Sequence, residues 1–498
     1  MNRTMTTPEV SAEAAPGPAL AREQFREISP ADLNAAARTS QSMLWFRDAL
    51  ILGTGRQPLG FLGRYTGQMR QSPDAAAGQR RRYIGQADRH ETQGAQIWRF
   101  DPTTEQWSHV YDSPIVTGGD GRQRARDRSI RAAGIFQGPG DIEPALYLGV
   151  GSLEGRVVML RSQDGIHFDE CRETGLGLPE DADVPSVRCL CSLGARLYTS
   201  PTGKNYGRGM LDDNMTDFPM VFATDDPMQG HWTPVSAPGF GDPENLSVNE
   251  LAAFNGALYA ATLNPTSGFQ VWKARPEGSA PLQWTKIIDR GAWRGPASSI
   301  PASMFRYRDA LYVGTGIQRQ GRNGRDRYGP FPGELIRIYQ DDSWDLVVGD
   351  PRPTPHGLKR PVSGLTAGFG DLFTHAFWRM AEFAGHLYLG TSEWRFLPTY
   401  LRNRGDLSEA RLEYLRSETD AYVPGHFSLW RSPDGDSWSP VTRTGFGGNP
   451  NNYGIRELAA SAHGLFVAPT ATQSRDSGGG LEIWWGQTHS TGSGPEQK

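Results

Sequence analysis

One strand-like motif recurs seven times along the chain, and no other feature of the sequence constrains the fold as strongly. In each copy a small or polar residue precedes Leu, an aromatic or aliphatic residue follows, and most copies continue into a short Gly/Thr-rich end. The copies are ALILGT (49–54), ALYLGV (145–150), RLYTSP (196–201), ALYAAT (257–262), ALYVGT (310–315), HLYLGT (386–391) and GLFVAP (464–469). Repeats of short strands at such spacing are typical of β-propellers.

A third strand follows all seven copies of the motif, and a fourth strand follows six of them. The third strand of the repeat is AQIWRF (95–100), RVVMLR (156–161), PMVFAT (219–224), FQVWKA (269–274), ELIRIY (334–339), FSLWRS (427–432) and LEIWWG (481–486). The fourth begins with an aromatic residue at WSHV (107–110), FDEC (168–171), WTPV (232–235), WTKI (284–287), WDLV (344–347) and WSPV (438–441), which makes only six copies.

The missing fourth strand is predicted at the other end of the chain. Phe25-Arg26-Glu27-Ile28 has the same aromatic-x-x-aliphatic pattern and precedes the first repeat. Adding it to the last sheet would close a ring and remove the exposed sheet edges of an open array. We therefore predict an all-β, seven-bladed β-propeller of four-stranded antiparallel blades, closed by an N-terminal strand. The propeller spans 21–487 between flexible tails at 1–20 and 488–498, with a short helix at 29–38 capped by Ser29.

Composition agrees with this fold class and excludes others. The 60 Gly and 36 Pro favour turns over long helices, and no apolar run reaches the roughly 20 residues of a membrane span. We identify no signal peptide, and Cys171, Cys189 and Cys191 are too few for a disulfide framework, so we expect a cytoplasmic protein. A net charge of −4 gives no reason to expect nucleic acid as a partner, and we expect a monomer.

The insertions are predicted to gather on one face of the ring. In a four-stranded meander the loops between the second and third strands, and those between blades, lie on the same side. The long loops are of these two kinds: 55–93, 201–217, 316–332, 392–425 and 350–375. Binding residues commonly lie on loops held by a rigid scaffold, so the functional site is expected on this face.

Two turns resemble those of a known family. The segments Arg161–Phe168 (RSQDGIHF) and Arg431–Trp438 (RSPDGDSW) resemble the Asp-box turns of sialidase-like (BNR-repeat) propellers, with one residue fewer between Ser and the aromatic residue. In that family the Asp box is structural and lies opposite the active site. The resemblance therefore implies the fold, and no catalytic sialidase motif aligns.

Charged residues are predicted to converge where the innermost strands begin. Eight residues before each repeated Leu lie Ser42, Cys189, Glu250, Ser303, Arg379 and Glu457; one residue earlier lie Gln41, Arg188, Asn249, Ala302, Trp378 and Arg456, with Arg131 in the second blade. Arg131, Arg188, Arg379 and Arg456, with Asn249, would hold a carboxylate or phosphate, while Glu250 or Glu457 acts as acid or base. The alternative is that these Arg–Glu pairs join neighbouring blades.

Other candidates are weaker. His375 is a proton shuttle or a packed loop residue, and Tyr206 is a candidate substrate contact. The acidic stretch 211–217 either holds a cation or is solvated. The Arg-rich loops at 121–129 and 318–329 either attract an anionic partner or are solvated. A helix predicted at 406–417 is either a lid over the site or a fixed plug.

The sequence contains no metal cage, phosphate loop or dinucleotide fingerprint, and it leaves any cofactor unassigned. We expect an enzyme that acts by hydrolysis or elimination on a small or sugar-like anionic substrate. The alternative is a non-catalytic scaffold that binds a protein or a glycan.

Overall fold

Antiparallel strands build the whole of the described protein. The computed structural model describes residues 16–33, 37–55, 91–118, 121–152, 156–172, 175–179, 182, 184–205, 211–212, 214–277, 280–317, 331–393, 413, 417, 427–447, 449–471, 475 and 479–488. Within these ranges helical structure is limited to isolated positions at 413, 417 and 475 and short 3-10 turns at Arg22–Gln24, Gly175–Gly177, Pro227–Gln229, Pro238–Gly241, Gly295–Ala297 and Ala367–Gly370. The all-β prediction is confirmed.

The described strands pair into four-stranded meanders, which we number in chain order. Unit 1 consists of Thr39–Phe46, Ala49–Gly55, Gln96–Asp101 and Gln106–Asp112. Unit 2 consists of Asp127–Phe136, Ala145–Ser152, Val158–Ser162 and Asp169–Glu170. Unit 3 consists of Ser186–Leu193, Arg196–Thr202, Phe222–Thr224 and Thr233–Pro234. Unit 4 consists of Ser247–Phe254, Ala257–Leu263, Gln270–Ala274 and Thr285–Ile288. Unit 5 consists of Ile300–Tyr307, Ala310–Gly316, Leu335–Ile338 and Trp344–Val348. Unit 6 consists of Thr374–Phe383, His386–Glu393, Leu429–Ser432 and Ser439–Thr442. Unit 7 consists of Asn452–Ser461, Gly464–Ala471, Trp484–Gly486 and the N-terminal strand Phe25–Glu27. Three short hairpins are added at Ile115–Thr117 with Gln123–Ala125, Lys204–Asn205 with Leu211–Asp212, and Arg352–Thr354 with Gly357–Lys359.

The units are arranged in a closed circuit. The first strand of each unit lies beside the first strand of the next, and that of unit 7 lies beside that of unit 1. A separate apolar cluster fills the space between each pair of neighbouring units, including one between units 7 and 1. The sheets therefore pack face to face around a common centre, which is the arrangement of a propeller.

This packing explains the repeated motif. Side chains alternate between the two faces of a strand, and the second strand of each unit lies between two neighbouring sheets. In unit 4, Leu258 and Ala260 pack toward unit 3, whereas Tyr259 and Ala261 pack toward unit 5. Every residue of that strand is buried. The motif is mostly apolar because both faces of its strand are packed in the core.

The N-terminal strand occupies the predicted place. Phe25 pairs with Gly486 and Glu27 with Trp484 in an antiparallel ladder, and the Phe25 ring stacks on Phe446 at 4.7 Å between centroids. A Cβ at position 486 would lie 2.6 Å from the Phe25 ring, so glycine is required there for the ring to fit.

Two neighbouring predictions need correction. Residues 16–20 do not behave as a tail: Gly17 donates its N–H to the Ala384 carbonyl at 2.9 Å, and the buried Leu20 donates its N–H to the Tyr388 hydroxyl at 2.9 Å. The helix predicted at 29–38 is absent from the described positions 29–33 and 37–38, which form turns and extended chain. The Ser29 hydroxyl instead accepts from the Ile483 N–H at 3.0 Å, so this segment is bound to unit 7.

The two aspartate turns share one hydrogen-bond pattern. Asp164 Oδ1 accepts from the N–H groups of Ile166 and His167 at 2.8 Å each, while Asp434 Oδ1 accepts equivalently at 2.8 and 2.7 Å. Gly165 and Gly435 take φ of 76° and 86°, which glycine tolerates without steric cost. The turns are tight because the aspartate replaces backbone acceptors within the loop.

Among the residues that the structure describes, no helix has the length and apolar character needed to cross a bilayer. The three cysteines are free thiols, and burial raises the pKa of each to about 12.

Candidate functional site

A β-bulge occurs at the same place in the first strand of every unit. There the pairing with the second strand skips one residue in six units, and in unit 3 it skips Arg188 and Cys189 opposite the single residue Ser200. The extra residue lacks a partner of its own and turns side chains away from the regular alternation. The bulges lie at Gln41, Arg131, Arg188–Cys189, Asn249, Ala302, Trp378 and Arg456. They coincide with the positions that the sequence spacing marked.

The bulges lie toward the end of the ring from which the long loops depart. In unit 1 the bulge is opposite Gly53 and Thr54, just before the second strand ends at Gly55. In unit 6 it is opposite Gly390 and Thr391, and the second strand ends at Glu393. The strand geometry therefore places these residues near the ends of the second strands from which the chain continues toward the third strands.

Arg379 binds both predicted catalytic carboxylates. It contacts Glu457 through two hydrogen bonds, from Nε to Oε2 at 3.1 Å and from Nη2 to Oε1 at 3.2 Å. Its Nη1 donates to Glu250 Oε1 at 3.4 Å, so one guanidinium joins units 6, 7 and 4 across the centre. Burial opposes the charge of Arg379, but the carboxylates of Glu457 and Glu250 outweigh it and raise the pKa of this arginine.

Arg188 and Arg131 form a second group. Arg188 donates from Nε to the Asn249 carbonyl at 3.1 Å, and from Nη1 to Asn214 Oδ1 at 3.1 Å. Arg131 Nη2 donates to the same Asn214 oxygen at 3.1 Å. Arg188 Nη2 lies 3.9 Å from Glu250 Oε1, which connects this group to the Arg379 pair.

Arg456 contacts neutral groups. Its Nη2 donates to Gln41 Oε1 at 3.2 Å, and its guanidinium lies 5.0 Å from the centroid of the Trp378 ring. The partly exposed Trp378 is itself near Tyr453, with 6.1 Å between ring centroids. An aromatic side chain and a cation are thus presented together at the bulges of units 6 and 7.

Burial changes the proton affinities of these groups. It lowers the pKa of Arg188 to about 10, with repulsion from Arg131 adding to the effect, and lowers the pKa of Arg456 to about 10, where Arg379 adds repulsion. It raises the pKa of Glu250 although Arg379 and Arg188 oppose it. A buried carboxyl whose proton is held more firmly is suited to acid or base chemistry.

Not every predicted position joins this cluster. The hydroxyls of Ser42 and Ser303 donate to the Ile130 and Phe377 carbonyls of the next unit, at 2.9 Å each. Asn249, predicted to contact a substrate, is fully buried and donates from Nδ2 to the Pro301 carbonyl at 2.6 Å. These three side chains join neighbouring units. The Arg–Glu pairing that the sequence left open as the alternative is present at Arg379, which bonds Glu457 and Glu250 of other units.

His375 lies in the first strand of unit 6, four residues before Arg379. Burial lowers its pKa to about 3, so its ring is neutral at physiological pH. A group that holds a proton so weakly is a poor shuttle near pH 7. The other predicted contact, Tyr206, lies outside the described residues.

The remaining charged candidates divide in the same way. Arg126 belongs to the first Arg-rich loop, which was predicted either to attract an anionic partner or to be solvated. It is instead buried between Asp127 and Glu170 at 2.7 Å from each, so neither prediction holds for this side chain. The second Arg-rich loop, 318–329, lies outside the described residues, as does the predicted helix at 406–417 apart from two positions. Within the described ranges, no group of three or more His, Cys, Asp or Glu is arranged to hold a metal ion.

The sequence placed Asn214 only within the acidic stretch 211–217, as part of a candidate cation site, and gave Gln41 no role, although both supply amide oxygens to the arginines. Gln41 stands at the same repeat position as Arg456, so the spacing had marked its place. Asn214 follows a short hairpin in a loop, and no local pattern indicates that it reaches Arg131 and Arg188.

Comparisons with known proteins place the chain far from characterised sequences. No protein-family model matches it, and no curated protein matches it. Similar solved structures include an ancestral GH74 enzyme (11% identity, TM-score 0.47, covering 92% of this chain and 49% of that one) and a GH74 xyloglucanase from Xanthomonas campestris (16%, 0.41, 93% and 56%). A puromycin hydrolase variant is a third (9%, 0.43, 93% and 56%). This chain spans about half the length of these proteins. The fold assignment therefore rests on the strand pairing of the chain itself.

Proposed function

We propose that the seven units are the blades of a seven-bladed β-propeller whose centre binds a small anionic molecule, and that the protein is a hydrolase or lyase acting on it. The anionic group is a carboxylate or phosphate, and the remainder of the substrate is sugar-like. The observation that carries this proposal is that Arg188 and Arg456 are buried while their hydrogen bonds go to neutral amide and carbonyl oxygens.

Burying a charge is costly unless an opposite charge compensates it. Of the six charged side chains at the bulges, four are arginines and two are glutamates: Arg131, Arg188, Arg379, Arg456, Glu250 and Glu457. Arg379 engages both glutamates at hydrogen-bond distance. An anionic ligand would supply charge-assisted hydrogen bonds to Arg188 and Arg456, which are stronger than those from neutral acceptors.

Glu250 is the group proposed to transfer a proton. Its side chain is 13% exposed and lies between Arg379 at 3.4 Å and Arg188 at 3.9 Å. Burial raises its pKa, so its protonated form is more accessible near neutral pH than that of a solvated glutamate. A ligand held by Arg188 would be next to this carboxyl. Trp378 offers an apolar ring surface at the same level, as a sugar ring would require.

The test uses inorganic phosphate, titrated calorimetrically into the full-length protein at low ionic strength. Arg188→Met and Arg456→Met should each weaken binding by about tenfold or more, because a hydrogen bond to a charged group contributes about 1.5–3 kcal/mol. The matched control is Arg26→Met, since Arg26 is a surface residue paired with Glu105. Its affinity for phosphate should equal that of the wild type.

The catalytic part is tested with a chromogenic aryl glycoside of a uronic acid. Glu250→Gln should retain phosphate binding while losing release of the aryl group. A wild-type protein that binds neither phosphate nor the uronic-acid glycoside would overturn the proposal. Binding without any turnover would leave the anion site in place and favour the scaffold alternative.

A further inference from the structure

A single neutral oxygen lies between two guanidinium groups in the proposed site. Asn214 Oδ1 accepts from Arg131 Nη2 and from Arg188 Nη1, both at 3.1 Å. The arginines come from the bulges of units 2 and 3, whereas Asn214 comes from the loop that follows the hairpin Lys204–Asn205 with Leu211–Asp212. The loop residue therefore enters a site that the strands have already formed.

The chemistry at this point favours a negative charge over an amide. An amide oxygen presents only a dipole, and a guanidinium pair forms stronger hydrogen bonds with carboxylate or phosphate oxygen. The charged form of Arg188 is disfavoured first by burial and next by repulsion from Arg131, and both effects lower its pKa. An anionic oxygen at the Asn214 Oδ1 position would relieve both costs at once.

Arg188 is held in place independently of Asn214. Its Nε donates to the Asn249 carbonyl at 3.1 Å, and Asn249 is anchored through Nδ2 to the Pro301 carbonyl at 2.6 Å. The guanidinium thus keeps its direction when its Nη1 partner is exchanged. Because Arg188 Nη2 also lies 3.9 Å from Glu250, a ligand bound here is adjacent to the proposed acid.

We propose that Asn214 is a displaceable stand-in for an anionic oxygen of the ligand, and that it thereby sets the anion selectivity of the site. This inference rests on the proposed function and assigns the anion subsite to Arg131 and Arg188. Occupation of the subsite by a neutral oxygen keeps the arginines hydrogen-bonded in the free protein. An arriving carboxylate or phosphate replaces that oxygen and gains the charge interaction.

Two substitutions at this position separate displacement from simple positioning. Asn214→Asp places a permanent carboxylate between the arginines and should weaken the binding of inorganic phosphate by about tenfold or more. Asn214→Ala removes the competing oxygen and should bind phosphate within about threefold of the wild type, or more tightly. The control for added charge is Gln229→Glu on an exposed turn, which should leave phosphate affinity unchanged.

Thermal unfolding gives a second readout. Asn214→Asp should raise the midpoint of the ligand-free protein, and phosphate should then add little further stabilisation. A tenfold or greater loss of phosphate binding in Asn214→Ala would show that Asn214 positions the arginines and would overturn the inference. Unchanged phosphate affinity in Asn214→Asp would overturn it as well. In both cases phosphate binding by the wild type keeps the proposed function intact, whereas absence of wild-type binding removes both proposals.

Discussion

Replacement of Arg379 by leucine tests whether the centre of the ring is as buried as its geometry indicates. Arg379 joins three units through Glu457 and Glu250. Leucine retains part of the apolar stem and deletes the guanidinium, so the two carboxylates lose the cation between them. The quantity to compare is the free energy of unfolding of the variant and the wild type.

The magnitude follows from burial. Removing one partner of a buried ion pair costs about 3–5 kcal/mol, because the other charge stays desolvated. The Arg379 side chain is 21% exposed and that of Glu457 is 9% exposed. This residual solvation places the expected loss at the lower end, about 3 kcal/mol near neutral pH.

The loss should depend on pH. Burial raises the pKa of Glu250, and Arg379 is the first group that opposes the rise. Without Arg379, the pKa of Glu250 in the folded protein moves further above its value in the unfolded chain. Between these two pKa values the folded protein binds more protons than the unfolded chain; this range is the pH window of the effect. Stability of the variant then falls as pH rises through the window, and the deficit should be larger at pH 8 than at pH 5.

The assay is urea unfolding followed by tryptophan fluorescence at both pH values. A double-mutant cycle with Glu457→Gln should give a coupling energy of at least about 1 kcal/mol. The control is Arg26→Leu, which breaks a surface pair whose side chains are 45% and 51% exposed and should cost below about 1 kcal/mol. A deficit for Arg379→Leu as small as the control, or equal at pH 5 and pH 8, would refute the reasoning.

Three further predictions concern the closing strand and two histidines. Phe25→Ala should lower the free energy of unfolding by about 3–5 kcal/mol, because the ring is buried against Phe446. The same change at Phe331, which is 38% exposed, should cost far less in the same urea assay, and equal losses would contradict the role of the strand. Burial lowers the pKa of His375 to about 3, so below about pH 6.5 the unfolded chain binds a proton that the folded protein does not. The free energy of unfolding of the wild type therefore falls as the pH is lowered. His375→Gln should reduce this loss of stability between pH 6.5 and pH 5. The effect of His167 on the pH dependence of stability has the opposite sign, because its hydrogen bond to Asp164 raises its pKa. The stability that this histidine adds is present at low pH and is lost as the pH rises. His167→Gln should therefore lower the free energy of unfolding more at pH 5 than at pH 8.

The repeat alone determined the strands and their order. The Leu-containing motif is mostly apolar because its strand is packed on both faces, and such a pattern can be recognised without tertiary information. The pairing of Phe25 with Gly486 was also predictable, since six copies of the fourth strand required a seventh. Counting back from the repeated Leu gave the positions of the bulges in six units, because these repeat the same backbone path; unit 2 departs through an insertion before Leu146.

What the side chains do at those bulges was decided by the tertiary structure. Ser42 and Asn249 stand at marked positions but bind the neighbouring unit, whereas Arg379 reaches across the centre to Glu250, 129 residues away in the chain. Asn214 meets Arg131 and Arg188 from an irregular loop. A sequence period specifies which residue faces the centre of the ring. The partner that it finds there depends on side-chain length, burial and charge contributed by other units, and these are properties of the closed ring alone.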